Sequence, residues 1–281
     1  MGTPEFVVIG HVVLDVVREG WRLGGTAAFA AVQAQRLGLK VGMVTRVGTD
    51  VNLQEALPGV AVAGRPSEET TRFVNEYEGG RRRQRVPSQA AVVAIDDVPE
   101  EWRAAPVVLV GPVCGEVPAE LGASLESSLT GVSAQGWLRR VDRARRVRRQ
   151  AWTGAPFWKG SQVLFVSDED LGRRSDQLVA WEREVAIVAV TRARRGAKVR
   201  DRMGWRRIEA FPAREVDPTG AGDIFAAAFL VRYHETQDAA AATRFASAAS
   251  ACSVEGVGVE RVATRAEVEE RLARHREITL R

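Results

Sequence analysis

The chain has 281 residues, 45% of them hydrophobic, and a net charge of +4, enough to bury a substantial core as one large α/β domain or two smaller ones and to exclude disordered and fibrous classes. Only Lys40, Lys159 and Lys198 among its 40 basic residues are lysines, so the basicity reads as arginine usage, not a nucleic-acid footprint; the two isolated cysteines, Cys114 and Cys252, exclude a disulfide-rich fold. Met1-Gly2-Thr3-Pro4-Glu5 carries no basic, apolar leader and no run of about 18 apolar residues occurs, so the sequence predicts a reduced, cytoplasmic protein with no membrane partner.

Phe6-Val7-Val8-Ile9-Gly10 predicts a buried first strand. Gly24-Gly25 opens an alanine-rich helix over Thr26–Leu37, closed by Gly38, and Lys40–Arg46 predicts the next strand. Thr70–Val93 departs from this pattern: two alternating stretches flank Glu78-Gly79-Gly80, which predicts a hairpin placed either as a flap over a site or as a surface ornament. Apolar runs at Val107–Val110, Val163–Val166 and Val185–Val190 predict parallel strands buried on both faces. Helices are expected near Glu116–Leu129 and Asp168–Glu184, then over Asp223–Tyr233, Asp238–Ser253 and Arg265–Arg274. The alternation predicts a doubly wound sheet with helices on both sides.

One stretch proposes chemistry directly. Asp217-Pro218-Thr219-Gly220-Ala221-Gly222-Asp223 runs into the apolar segment Ile224–Val231. Small residues let a phosphate approach the free N–H groups of a first helical turn, where the helix dipole favours negative charge. A carboxylate at that point serves a plain helix equally well as a cap, but capping does not require three small residues in succession. Asp223 is therefore the candidate base, beside an anion hole formed by the amides of Gly220, Ala221 and Gly222.

Read whole, this string resembles the C-terminal signature of the ribokinase-like (PfkB) family of sugar and nucleoside kinases. Leu23-Gly24-Gly25-Thr26-Ala27-Ala28-Phe29-Ala30-Ala31, with Arg36-Leu37-Gly38 and Val44-Thr45-Arg46-Val47-Gly48-Thr49-Asp50, resembles the N-terminal signature, in the family's order. Val8-Ile9-Gly10-His11 with Asp15, and the Leu-Gly-Gly-x-Ala-Ala-Phe string, are most similar to the plant myo-inositol kinase branch and its bacterial relatives. The resemblance implies a three-layer α/β/α sandwich with a mostly parallel central sheet and a small β lid, formed as a single domain over 1–281 with lid segments near 11–22 and 70–93. It implies transfer of a phosphoryl group from ATP, with Mg2+, to a small polyol such as myo-inositol or a related cyclitol.

By position, the resemblance makes Asp223 the base and assigns Asp15, Gly24 and Gly25 to the acceptor's hydroxyls. Thr191 and Gly196 match the nucleotide-side loop, Gly256 and Gly258 the late loop near the adenine, and Asp217 a position that in some members helps to bind a monovalent cation. Ser167-Asp168-Glu169-Asp170 stands where the family has Asn-x-x-Glu, which makes Asp170 the magnesium-side carboxylate. Ala193, among Arg192, Arg194 and Arg195, replaces the first glycine of the nucleotide loop. The Gly-Gly element lacks the asparagine that ribokinase carries a few residues on, having Phe29 in that region, which counts against ribose. Lid strands in this family often pair between subunits, so the resemblance admits a homodimer through the lid.

The sequence admits three other readings. A sugar or nucleoside acceptor is the runner-up, and a kinase-like binding protein with weak catalysis is a third, which intact Asp223 argues against. Arg139-Arg140-Val141-Asp142-Arg143-Ala144-Arg145-Arg146-Val147-Arg148-Arg149, between Trp137 and Trp152, could form a nucleic-acid surface, but a solvated hairpin or helix face is the preferred reading. His11 is read as structural, and His234 and His275 as helix-end residues. The seven tryptophans lack helical spacing and are expected in core or rim packing.

Overall fold

Strand β1 (Phe6–Ile9) has all four residues fully buried, with Phe6 and Val8 entering one apolar core and Val7 and Ile9 another. A strand buried on both faces must be covered on both, as in a parallel sheet between two layers. The computed structural model describes residues 3–78, 81–172 and 175–281, so the Gly79-Gly80 turn read from the sequence lies outside the described residues.

In chain order, β1 leads to β2 (Val13–Val17), β3 (Gly20–Gly24), helix α1 (Gly25–Arg36) and β4 (Val41–Val44). The short α2 (Leu53–Ala56) precedes β5 (Ala61–Ala63), β6 (Thr71–Glu78), β7 (Arg81–Ser88), α3 (Glu100–Arg103), β8 (Val107–Val110) and β9 (Leu129–Ser133). A second hairpin, β10 (Arg139–Val141) with β11 (Val147–Arg149), comes before β12 (Val163–Ser167), α4 (Asp168–Leu171) and α5 (Ser175–Trp181). Then follow β13 (Ile187–Thr191), β14 (Ala197–Asp201), β15 (Gly204–Ile208) and helices α6 (Ala221–Thr236), α7 (Ala239–Ser253) and α8 (Arg265–Arg274).

The central sheet has the order β15-β14-β13-β12-β9-β8-β1-β4-β5. Its pairings from β13 through to β5 are parallel, and β14 and β15 close one edge antiparallel. One face packs against α1, α6 and α7, whose alanines let helices and sheet approach closely. Phe165 meets Phe229 edge-on at 5.4 Å across that interface. The other face is covered by loops and by α3 and α5, with aromatics gathered on Phe157, which stacks on Trp137 at 4.6 Å and meets Trp158 and Trp181 edge-on at 5.0 and 5.4 Å. Each such buried ring contributes about 1.5–3 kcal/mol through the water it leaves. This bears out the expected packing role of these tryptophans, while Trp21 and Trp205 stay exposed.

The helix ends follow from local chemistry. Asp238 caps α7 by accepting the amides of Ala240 and Ala241, and Thr264 with Glu267 forms a capping box on α8. Among the described residues no helix is long and apolar enough to cross a membrane.

Two expectations fail. No α-helix forms near Glu116–Leu129; the segment is loop with a 3-10 turn at Leu121–Ser124, followed by the unforeseen strand β9. Its organiser is Glu116, only 1% exposed, whose carboxylate accepts the amides of His11, Val113 and Cys114. A buried charge satisfied by three loop amides holds that backbone in a non-helical path. The helix expected over Asp168–Glu184 is instead two, α4 ending at Gly172 with φ +58 and α5 beyond it, with residues 173 and 174 outside the described set.

The lid is a separate four-stranded sheet of order β3-β2-β6-β7. It rests on a small core of Val13, Phe73, Val86, Val113 and Cys114, against which Val141 and Val147 of the second hairpin also pack. His11 fastens it at its root. The Ala91 carbonyl can only accept, so Nε2 carries the proton given to it at 2.9 Å, and Nδ1 accepts the Thr71 hydroxyl at 2.8 Å. The structural reading of His11 is thereby accounted for.

Candidate active site

A cleft of about 1230 Å³ opens between the lid and the ends of the central strands, where Ser133, Ser167 and Thr191 close β9, β12 and β13. This is the crevice outside the carboxyl ends of a doubly wound sheet, where such folds bind ligands. The volume exceeds that of a typical single-ligand pocket, about 300–1,000 Å³.

The start of α6 forms its floor. Gly220 precedes the helix with φ +78, a left-handed conformation that favours glycine, and a Cβ at this position would overlap the Phe29 ring from α1. Asp217 Oδ1 accepts the Thr219 amide at 2.9 Å, bracing the preceding turn, and Ser250 of α7 donates to the Ala221 carbonyl at 2.9 Å. The Ala221 amide turns back to the Pro218 carbonyl at 3.3 Å. Helix geometry leaves the next amides, those of Gly222 and Asp223, without intrahelical acceptors and directed along the positive end of the dipole.

Asp223 stands in the first turn of α6. Thr26, fully buried in α1, donates its hydroxyl to Asp223 Oδ1 at 2.7 Å, which fixes the carboxylate and leaves its other oxygen unclaimed by that bond. Burial pushes the Asp223 carboxyl up to about 6, opposed by the Thr26 hydrogen bond and by the charge of Arg139 and reinforced by the carboxylates of Asp170 and Asp15. A base with that affinity is ionised at neutral pH yet still a competent proton acceptor.

Asp15, on β2, projects from the lid into the same cleft, beside Phe73 on the neighbouring strand β6. Gly24, paired with Val13 at the end of β3, is where a Cβ would overlap the Asp15 carboxylate; glycine therefore lets that side chain lie against the strand. Gly25 lines the cleft at the head of α1. Asp15 and Gly25 of the predicted acceptor side thus face one cavity with Gly220, Ala221, Gly222 and Asp223, whereas Gly24 stands behind Asp15 and does not line it.

At the far end, Thr191 and Gly196 line the cleft on either side of a 3-10 turn. Ala193 holds φ +48, a backbone state in which glycine is unstrained and alanine is not. Arg194 pairs with Glu215 at 3.0 Å and Arg195 with Asp168, so two of the three arginines near Ala193 are engaged with neighbouring carboxylates. Ala251 and Val254 form the wall beyond, whereas Gly256 and Gly258 lie in the following turn and do not line the cavity.

Asp170, 3% exposed, uses both oxygens: Oδ1 accepts Arg139 at 2.9 Å and Oδ2 accepts the Ser167 hydroxyl at 2.7 Å. Asp168, Glu169 and Asp170 all line the cleft, hard oxygen donors of the kind that hold Mg2+ through its water shell. Among the described residues no group of three or more His, Cys, Asp or Glu side chains is arranged to enclose a metal. Asp217 does not line the cleft.

Two site residues escaped the sequence reading. Thr26 was seen only as part of a motif, although its place directly after Gly24-Gly25 was a signal. Arg139 was hidden inside a run of arginines; it bridges to Asp170 and its charge reaches Asp223.

The comparisons with known proteins agree with this geometry. The description "pfkB family carbohydrate kinase" matches residues 154–265. A cytidine kinase of Thermococcus kodakarensis is 29% identical over 249 residues, covering 82% of this chain and 88% of that protein. Inositol 3-kinase of Oryza sativa subsp. japonica is 30% identical over 254 residues, covering 80% of this chain and 62% of the rice protein. A pyrophosphate-dependent myo-inositol-1 kinase converted by mutation into a myo-inositol-3 kinase shares the fold at a TM-score of 0.78 and 22% identity, over 96% of this chain and 99% of that one. Over residues 154–265 the chain thus matches the pfkB family of carbohydrate kinases, over most of its length it is similar to a cytidine kinase and an inositol 3-kinase, and it shares the fold of ribokinase-family kinases.

Proposed function

We propose that the chain transfers the terminal phosphoryl group of ATP to a hydroxyl of a small polyol, with myo-inositol or a related cyclitol as the leading acceptor. The observation that carries this reading is the shared placement of Asp15 and Asp223 in one cleft, with the Asp223 carboxyl pushed up to about 6 and one of its oxygens held by Thr26. Asp15 accepts hydrogen bonds from two neighbouring hydroxyls and orients a third toward Asp223. Asp223 takes the proton of that hydroxyl as its oxygen attacks the terminal phosphorus. The bond to the leaving phosphate breaks, and its electron pair departs with the donor product. The amides at the head of α6 face the oxygens on which charge spreads, so positioning and fixed dipoles do most of the work.

Mg2+ would be held with the donor phosphates by the carboxylates of α4, through water, and would neutralise their charge. A monovalent cation at Asp217 and a homodimer through the lid remain part of the proposal. The 29% identity to a cytidine kinase over most of that protein's length supports a second reading, a nucleoside acceptor.

The test is a screen of cyclitols, hexoses, pentoses and nucleosides, with ATP and pyrophosphate as alternative donors, scored by mass spectrometry of the phosphorylated product. Transfer to cyclitols with ATP supports the proposal. Transfer to nucleosides alone would replace it with the second reading, and transfer to nothing would favour a binding protein.

A further inference from the structure

The cleft also has a wall of arginine that the reaction does not use. Arg83 and Arg85 of β7 and Arg146, Arg148 and Arg149 of the second hairpin line the same cavity as Asp15 and Asp223. The hairpin is fastened to the lid. The Val86 amide donates to the Arg145 carbonyl at 2.8 Å and the Arg145 guanidinium to the Pro87 carbonyl at 3.0 Å, while Val141 and Val147 pack on the small core beneath.

One carboxylate sets the guanidinium geometry. Arg146 Nε and Arg148 Nε both donate to Asp142 Oδ2, at 3.1 and 3.0 Å, and Oδ1 accepts the amides of Ala144 and Arg146 at 2.9 Å each. The Arg146 amide, followed by the two guanidiniums, holds the Asp142 carboxyl well below the usual carboxylate range, so it stays ionised. A single negative charge therefore orients two positive ones and leaves a net positive pair. Arg149 leans on Glu169, whose side chain is 75% exposed.

A neutral polyol requires nothing of this kind, because hydroxyls are satisfied by single carboxylates and amides. Guanidiniums gathered on a common anchor, about half exposed and turned into a cleft, suit the oxygens of a phosphate, which they bind by paired N–H donors. Arg83, Arg85, Arg146 and Arg148 sit on the lid side with Asp15, whereas Arg149 leans on Glu169 of α4, and Arg194 and Arg195 of the donor-side loop are tied to Glu215 and Asp168. We propose that this wall binds a phosphate carried by the acceptor, so that the preferred acceptor is a phosphomonoester of a small polyol or sugar. The inference rests on reading the cleft as an acceptor-hydroxyl kinase site and narrows the acceptor within it.

The test compares neutral acceptors with their own monophosphates, myo-inositol, ribose and fructose each against its phosphate, using the full chain with radiolabelled ATP and magnesium. The monophosphate should exceed its neutral partner in kcat/KM by about tenfold or more in at least one pair, and the R146Q/R148Q double variant should erase about tenfold of that preference with the KM for ATP within about twofold. A melting curve checks that the double variant is folded, and Arg83→Gln gives a second, independent variant on the lid strand. Preference for the neutral member of every pair would overturn the proposal. So would a rise in the KM for ATP with the acceptor preference intact, which would assign the wall to the donor. Transfer to neutral acceptors alone removes only this inference; transfer to none of the acceptors removes the kinase reading and this inference with it.

Discussion

The proposed phosphate-side wall of the cleft is main chain at the head of a buried helix, whereas the proposed acceptor-side wall is side chains on a small sheet that rests on a few apolar residues. Helix α6 buries Ile224 to Val231 without a break in the larger core and is braced by Phe29, Thr26 and Ser250. The lid stands on five buried residues and on the hydrogen bonds of His11 and Glu116. The first wall is held rigidly where the transferring phosphate must be positioned, and the second can change its side chains without disturbing the core. On the proposed function this difference would separate chemistry from acceptor choice, and substitutions can test that separation.

The largest effect should come from Asp223→Asn, which should lower kcat by about 10² to 10⁴-fold with ATP affinity within about twofold. The stability effect has the opposite sign. A carboxyl raised from 3.8 to about 6 favours folding while protonated and loses that advantage as pH rises through about 6. The asparagine variant should therefore melt above the parent at neutral pH, and the gap should close towards pH 4, measured by calorimetry. Gly220→Ala comes next. It places a Cβ into the Phe29 ring at a left-handed position and should destabilise the fold by about 2–4 kcal/mol, read from chemical denaturation.

On the acceptor wall the expected effects are smaller and of another kind. Asp15→Asn should raise the acceptor KM about tenfold with the KM for ATP unchanged, since it weakens a charge-assisted hydrogen bond without moving the phosphate-side amides. Equal losses for both substrates would show that the two walls are not separable. The smallest effect is expected from Ala193→Gly, which relieves a left-handed alanine and should stabilise the protein by up to about 1 kcal/mol, net of the chain entropy glycine adds.

The same contrast explains what could be read before the structure. The head of α6 is contiguous, so seven adjacent residues carried both its shape and its chemistry. Strands β1, β4, β8, β12 and β13 were legible because burial on both faces demands unbroken apolar runs. Strand β9 was not, since Leu129-Thr130-Gly131-Val132-Ser133 alternates small and polar residues and follows Glu116, whose buried charge no local pattern announces. Antiparallel β14 and β15 were hidden by the charged residues that interrupt their apolar pattern, half-buried Arg200 and Arg206 and exposed Arg207. The Thr26 bond to Asp223 spans 197 positions, a contact that only the packing of α1 on α6 creates. The arginine run was read as a solvated hairpin or helix face; it is a hairpin, but four of its arginines, Arg139, Arg146, Arg148 and Arg149, line the cleft, and Val86 and Pro87 of the lid hold the hairpin there.

The central claim is that Asp223 is the base and that its burial and the Thr26 bond set its proton affinity. The most direct measurement is kcat/KM against pH between about 5 and 8, which reports groups of the free enzyme, for the parent, Asp223→Asn and Thr26→Val. The account predicts a parent profile that rises through an inflection near 6 and then levels, a flat and low profile for Asp223→Asn, and an inflection moved to higher pH for Thr26→Val, which loses a hydrogen bond that lowers the Asp223 value. A parent profile with no inflection, or the same inflection persisting in Asp223→Asn, would contradict it.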